Sequence, residues 1–179
     1  MELKGSRTEA NLAAAFAGES QARNKYTFFA KKAREDGYEQ IADLFEETAA
    51  NEKAHAELWF RLLRGGELPD TKGCLEDAAG GEHFEWEEMY RDFAEKAREE
   101  GFAQIAFLFE AVAQVEKTHE QRFRTLIDNL DKGVVFSRDG DTVWQCRVCG
   151  HIYVGKQAPE VCPICTHPQA FFQIQAQNY

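Results

Sequence analysis

The chain has 179 residues and a formal net charge of −10. This length allows one sizeable core and a small appendage, and the negative charge argues against nucleic acid or an anionic membrane as a partner. No apolar run is long enough to span a bilayer, and the first six residues lack the apolar core of a secretory signal. We therefore expect a cytoplasmic protein.

Apolar spacing predicts four helical segments arranged as two hairpins. The first helix runs from about Arg7 to Asp36 and the second from about Tyr38 to Arg64. Residues 67–81, a glycine-containing stretch, are interpreted as a crossover loop. A third helix is expected from about Glu82 to just before Gly101, and a fourth from about Phe102 to Asp131. Two hairpins joined by one longer crossover are typical of a ferritin-like four-helix bundle.

The second hairpin repeats the first at an offset of 64 residues, and each copy contains a Glu-x-x-His pair. Glu52 and His55 in the second helix correspond to Glu116 and His119 in the fourth. Residues three apart lie on one face of a helix, so each carboxylate and imidazole can share one metal ion. Such pairs on two helices indicate a di-iron or di-manganese carboxylate bundle.

The repeat slips by one residue in the third helix. Glu19 interrupts the apolar face of the first helix, and its partner at the offset of 64 would be His83, flanked by Glu82 and Glu85. One extra residue in a helix commonly forms a π-bulge, and such bulges gather at functional sites. We therefore pair Glu19 with Glu82 and interpret Glu85 as an addition peculiar to the second half.

The predicted metal ligands of the bundle are Glu19, Glu52, His55, Glu82, Glu85, Glu116 and His119. Buried carboxylates facing one another without cations would repel, and oxygen ligands with a little imidazole favour iron or manganese over zinc or copper. The alternative, solvated glutamates on acidic helices, fits poorly with two Glu-x-x-His pairs on apolar faces. Tyr26 and Tyr90 lie about two turns beyond Glu19 and Glu82 and are either core aromatics or hydrogen-bond partners of the ligands.

After a linker at residues 132–143, the pattern changes to short strands and turns around two Cys-x-x-Cys knuckles. The four cysteines are Cys146, Cys149, Cys162 and Cys165. In a reducing compartment such knuckles are metal ligands rather than disulfides, and a tetrahedral four-sulfur site selects zinc or iron. Spacing alone leaves a structural zinc ribbon and a redox iron site open, and the attached bundle favours iron. The fifth cysteine, Cys74, has no assigned role.

Over nearly its whole length the sequence resembles the rubrerythrin family. Residues 18–26 resemble the family's first-helix motif and residues 82–90 its third. Residues 149–155, 158–163 and 167–172 are similar to its rubredoxin-like tail. One departure is Thr166, where the family often has glycine, and we expect it to alter the hydrogen bonding of the sulfurs without removing the metal.

The resemblance implies a mostly α fold, with a ferritin-like di-iron four-helix bundle at 1–131, a linker at 132–143 and a small β-rich, rubredoxin-like domain with a four-cysteine iron site at 144–179. It implies a homodimer, and a non-haem peroxidase that reduces hydrogen peroxide to water. Electrons would come from NADH through partner reductases or a small electron-carrier protein.

The resemblance also implies a role for each ligand. Glu52 and Glu116 would bridge the two irons, and Glu19 and Glu82 would each bind one of them. His119 would stay on the second iron. His55 and Glu85 would exchange at the first iron as its oxidation state changes, and the four cysteines would hold a single iron that relays electrons.

Two other functions stay open. One is a ferritin-like ferroxidase or iron-handling protein, and the other is a scaffold protein with a zinc ribbon. The cysteine domain favours the peroxidase because iron storage does not require a fused electron relay.

Overall fold

The computed structural model describes residues 2–177, so Met1, Asn178 and Tyr179, at the ends of the domains predicted at 1–131 and 144–179, lie outside it. The backbone forms two compact units that divide between Pro69 and Asp70, and each is described by itself. The domain boundaries given above stay a prediction. Within residues 2–177, every helix is too short or too polar to cross a membrane.

The first unit is a helical hairpin of α1 (Arg7–Glu35) and α2 (Glu39–Leu63). Ser6 caps α1, because its hydroxyl accepts a hydrogen bond from the backbone N–H of Glu9, while the Glu9 carboxylate accepts one from Gly5 N. Gly37, at a φ of +84°, turns the chain into α2. Both predicted helices are confirmed to within a residue or so at each end.

The second unit opens with α3 (Thr71–Phe84), followed without a break by a π-helical turn (Glu85–Met89) and α4 (Tyr90–Glu99). After Gly101 comes α5 (Ala103–Asp131). The predicted slip in the repeat is therefore a π turn, as expected for one extra residue.

The loop predicted at 67–81 is wrong from residue 71 onward, because α3 already begins at Thr71. The Asp70 carboxylate caps this helix by accepting a hydrogen bond from Gly73 N at 2.8 Å. The glycines at 80 and 81 then lie inside the helix, where tertiary packing outweighs their low helix propensity. The connection between the hairpins is short, and the third helical segment begins eleven residues earlier than predicted.

Positions related by the 64-residue repeat are buried alike in the two hairpins. Four buried alanines in the first hairpin have buried alanine counterparts in the second, namely Ala30 and Ala94, Ala33 and Ala97, Ala42 and Ala106, and Ala49 and Ala113. Small side chains at these positions let the paired helices approach closely. A fifth buried position breaks the rule, because Ala56 corresponds to Glu120.

The tail is a three-stranded antiparallel sheet in the order β2–β1–β3, formed by β1 (Ser137–Cys146), β2 (Ile152–Gln157) and β3 (Phe172–Ile174). Its core contains Trp144, Cys146, Ala158, Cys162 and Phe172. The first strand starts inside the segment predicted as a linker. The predicted fold class, mostly helical with a small β-rich domain, is confirmed.

Candidate metal centres

The first hairpin brings together one triad of potential ligands. Glu19 on α1 and Glu52 and His55 on α2 place one ligand atom each within 4.8 Å of the others. His55 Nδ1 lies 2.8 Å from Glu52 Oε2 and 3.9 Å from Glu19 Oε1. The three-residue spacing on α2 points both side chains toward α1, as predicted.

The second unit holds the matching triad of Glu82 on α3 and Glu116 and His119 on α5, again within 4.8 Å. His119 Nδ1 lies 2.7 Å from Glu116 Oε2 and 3.6 Å from Glu82 Oε2. The same triad therefore forms independently in two parts of the chain, which makes a chance cluster of surface glutamates a poor explanation.

The carboxylates of each triad repel one another. A hydrogen bond with Glu52, then burial and the charge of Glu52, raise the pKa of Glu19. Burial first, and then the charge of Glu116, raise the pKa of Glu82. A nearby divalent cation would reverse both effects, because it favours the ionised form. Each triad is therefore an oxygen-rich donor set suited to iron or manganese.

Glu82→Gln is expected to stabilise the metal-free protein by a few degrees in Tm at neutral pH, and to abolish its stabilisation by Mn²⁺. A carboxyl whose pKa is raised on folding destabilises the folded state above that pKa, and this penalty disappears as the pH falls toward the unfolded value of about 4.3. The difference between variant and wild type in EDTA should therefore vanish in acid. Thermal unfolding in EDTA and in Mn²⁺, from pH 4 to 8, measures it.

Glu76→Gln is the control for this substitution, because Glu76 lies on the same helix but is paired only loosely with Lys72 at the surface. It should bring no gain in EDTA and keep the full response to Mn²⁺. A loss of stability in Glu82→Gln that is equal at all pH values would contradict the prediction.

Glu85 lies beside the second triad without being one of its three members. Its charge raises the pKa of Glu82. Burial first, and then the charges of Glu85, Glu116 and Glu82, raise the pKa of Tyr90, so the Tyr90 phenol stays protonated near these carboxylates. The assignment of Glu85 as a metal ligand stays a prediction.

The two predicted tyrosines sit in matching aromatic clusters. Tyr26 packs against Phe45, with ring centres 6.1 Å apart, and Tyr90 packs against Phe109 at 5.9 Å. Both tyrosines are half-buried, and the choice between the two interpretations stays a prediction. Tyr90 is in addition close enough to the ligands to respond to their charge.

A donor near the first triad lacks an acceptor. The indole N–H of Trp59, one turn beyond His55, is buried and makes no hydrogen bond of normal geometry with the described residues. It lies near Glu19, whose pKa it lowers against the larger effect of Glu52. An unsatisfied buried donor is costly, and the Glu19 carboxylate is the nearby acceptor whose ionised form this N–H favours.

Glu120 is a buried residue that the ligand pattern does not identify. Its carboxylate accepts hydrogen bonds from Trp86 Nε1 at 2.5 Å, Arg124 Nε at 2.6 Å and His83 Nδ1 at 3.2 Å. Burial alone would raise its pKa, but these three bonds outweigh burial and lower the pKa of Glu120 to about 2. The one signal in the sequence is that a glutamate replaces Ala56 of the first half. His83 on α3 bonds to Glu120 while its side chain stays 48% exposed.

The four cysteines of the tail form a preorganised metal site. Their sulfurs lie within 4.8 Å of one another, and the Cys146–Cys165 and Cys149–Cys162 pairs are each 3.6 Å apart. A tetrahedron with metal–sulfur bonds of about 2.3 Å has edges of about 3.8 Å. The cage therefore fits a single zinc or iron ion.

Backbone N–H groups support the sulfurs. Burial would raise the pKa of Cys162, but bonds from Cys165 N and Ile164 N lower it to about 7. A bond from His167 N lowers the pKa of Cys165, yet burial and its cysteine neighbours raise it to about 12. Four thiolates this close need a cation before all of them can ionise.

The two knuckles have the same backbone geometry despite Thr166. Gly150 N donates to Cys146 O and Thr166 N donates to Cys162 O, both at 2.9 Å. Thr166 adopts a φ of +59°, the left-handed conformation that Gly150 adopts at +77°. The N–H of Thr166 thus goes to a carbonyl, and the donors to sulfur come from its neighbours. Threonine in place of glycine at position 166 therefore leaves the backbone donors to the sulfurs in place. We had expected this residue to alter the hydrogen bonding of the sulfurs.

Comparison with known proteins extends over both parts of the chain. The profile of the Rubrerythrin family matches residues 10–127, and that of the rubrerythrin rubredoxin-like domain matches residues 144–173. The rubrerythrin of Porphyromonas gingivalis is 48% identical, with 99% of this chain and 94% of the relative covered. The rubrerythrin of Nitratidesulfovibrio vulgaris is 47% identical and rubrerythrin-1 of Clostridium acetobutylicum 46% identical, each with 99% of this chain and 98% of the relative covered.

Proposed function

Because the chain belongs to the rubrerythrin family, we propose that it is a non-haem di-iron peroxidase that reduces hydrogen peroxide to water. Its cofactors are those of the family, a di-iron site with carboxylate and histidine ligands and a rubredoxin-like four-cysteine iron site. The rubredoxin-like domain implies electron transfer. The observation that carries the proposal is the presence in one chain of two Glu-x-x-His triads and a preorganised four-sulfur cage.

A di-iron site can supply the electrons that peroxide reduction requires. Converting one hydrogen peroxide to two waters takes two electrons and two protons, and two ferrous ions supply one electron each. Glu52 and Glu116 would be the carboxylates shared between the metals, and they are the least exposed members of their triads, at 17% and 15%. Glu19 and Glu82 are proposed to hold one metal each.

His55 and Glu85 are proposed to alternate as ligands, and the structure supports a difference between the two histidines. The His55 side chain is 55% exposed and that of His119 37%. The more exposed imidazole is the one expected to leave. Glu85 would add a hard anionic ligand that favours the ferric state, whereas neutral imidazole would favour the ferrous state.

Electrons are proposed to reach the bundle through the cysteine site. Cys149 is exposed while Cys146 and Cys162 are buried, so one edge of the cage is open to a donor. NADH, acting through partner reductases or a small electron carrier, remains the proposed source. The homodimer and the cytoplasmic location expected from the sequence belong to the same proposal.

Anaerobic loading followed by peroxide tests this function. We expect three irons per chain, rapid oxidation of the reduced di-iron site by one equivalent of peroxide, and visible sulfur-to-iron charge-transfer bands once further peroxide has oxidised the tail iron. Oxidation by oxygen with growth of a mineral core, and little reaction with peroxide, would instead support the ferroxidase. One tightly bound zinc with an empty bundle after ferrous loading would contradict both.

A further inference from the structure

Glu120 is a buried anion in a protein whose hairpins otherwise pack on alanine. It is 6% exposed and is the one buried charged residue among residues 2–177. Three side-chain donors satisfy it, from Trp86, His83 and Arg124. A charge buried this deeply is tolerated only when it is well bonded.

Hairpin packing does not require this carboxylate. The first hairpin has Ala56 at the equivalent position, buried at 7%, and leaves a groove of about 330 Å³ beside it, lined in part by Phe16, Ser20 and Phe60. The second hairpin carries Glu120 there, and Trp86 bonds to it. The buried carboxylate is thus present in one half only, which is also the half that contains the π turn.

Two of the three donors to Glu120 are immediate neighbours in sequence of proposed metal ligands. His83 follows Glu82, and Trp86 follows Glu85 at the start of the π turn. On α5, Glu120 itself follows His119. The ammonium of Lys117, next to Glu116, lies 4.6 Å from the centre of the Trp86 ring.

We propose that Glu120 is a positioning residue that locks the π turn against α5 and so fixes Glu85 beside the second triad. A π turn displaces every following side chain by about 100° around the helix, because it adds one residue to a 3.6-residue turn. Without a tie across to α5, the extra residue could be accommodated elsewhere along the helix. The bond from Trp86 to Glu120 sets the position of the π turn along the helix. The proposal rests on the role proposed above for Glu85 as a metal ligand.

A double-mutant cycle tests this proposal in the full-length, iron-loaded protein. Trp86→Phe removes the N–H and keeps an aromatic ring, and Glu120→Gln removes the charge. Each should slow single-turnover oxidation by peroxide by about fivefold or more, but by less than about twofold in a Glu85→Ala background, because residues that act through one another are not additive.

Glu110→Gln is the matched control. Glu110 also joins α5 to α4, through an ion pair with Arg98, and lies away from the ligands. Its substitution should leave the rate within about twofold of wild type. Additive slowing in the Glu85→Ala background, or equal rates in wild type and Trp86→Phe, would overturn the positioning role and leave Glu120 as a purely structural residue.

A second measurement uses the metal-free protein and stays informative even if peroxide is not the oxidant. Amide hydrogen exchange over residues 82–90 should accelerate by about tenfold or more in Trp86→Phe relative to Glu110→Gln, with exchange in α1 and α2 unchanged. Unchanged exchange over 82–90 would overturn the proposal. A wild-type protein that fails to react with peroxide would count against the proposed function instead. If Glu120→Gln does not fold, Trp86→Phe carries both measurements.

Discussion

Cys162→Ser is expected to lower steady-state peroxide turnover with an external reductant by on the order of 100-fold, and to leave one round of peroxide reduction by the pre-reduced bundle intact. Cys162 is fully buried, and its pKa is lowered to about 7 once the two backbone N–H bonds outweigh burial. A serine hydroxyl does not ionise in this pH range, so the cage loses a thiolate and its metal. Steady-state and single-turnover assays on equally loaded bundles separate the two effects.

Cys74→Ser is the control for the loss of a thiol. Cys74 lies on α3, outside the four-cysteine cage, so its substitution should leave both the tail absorption and the turnover unchanged. If Cys162→Ser keeps full steady-state turnover after losing the tail metal, the tail has a structural role only.

Glu85→Ala is expected to leave ferrous loading nearly normal and to slow oxidation by peroxide by about 10- to 100-fold. Both triads, including His55 at the first metal, remain complete without it, so the ferrous form would keep its ligands. The oxidised form loses an anionic ligand, which raises the reduction potential of the site. Anaerobic stopped-flow with peroxide at equal iron content measures the rate.

Two further variants serve as controls for Glu85→Ala, one expected to have no effect and one expected to lose the metals. Glu88→Ala removes an exposed carboxylate from the same π turn and should change neither loading nor rate. Glu52→Ala removes a carboxylate proposed to touch both metals and should empty the site. Equal peroxide rates for wild type and Glu85→Ala would discard the ligand exchange.

The helices and the triads could be predicted because two independent periodicities agree. Glu52 and His55 fall on one helix face, and the offset of 64 repeats them as Glu116 and His119. The one-residue mismatch between Glu19 and Glu82 was enough to predict the π turn, because a helix has few other ways to accommodate an insertion.

Two features could not be predicted, for physical reasons. The first turns of α3 contain glycines that resemble loop residues, and only the cap at Asp70 together with packing against α5 shows that the segment is helical. Glu120 resembles any surface glutamate in the sequence. Its burial depends on Trp86 and His83, which are 34 and 37 residues away and are connected to it only by the folded chain.

The matched alanines of the two hairpins bear on the history of the molecule. A chain that contains the same ligand-bearing hairpin twice is what fusion of two gene copies produces, and the unfused ancestor would have been a single hairpin that paired with itself around a symmetric pair of metals. In such an ancestor every substitution appears twice, so neither metal can acquire a ligand that the other lacks. Duplication and fusion would remove that constraint. The inserted residue at the π turn, with Glu85 and Glu120 on one side only, is the kind of change that becomes possible once each copy can evolve alone.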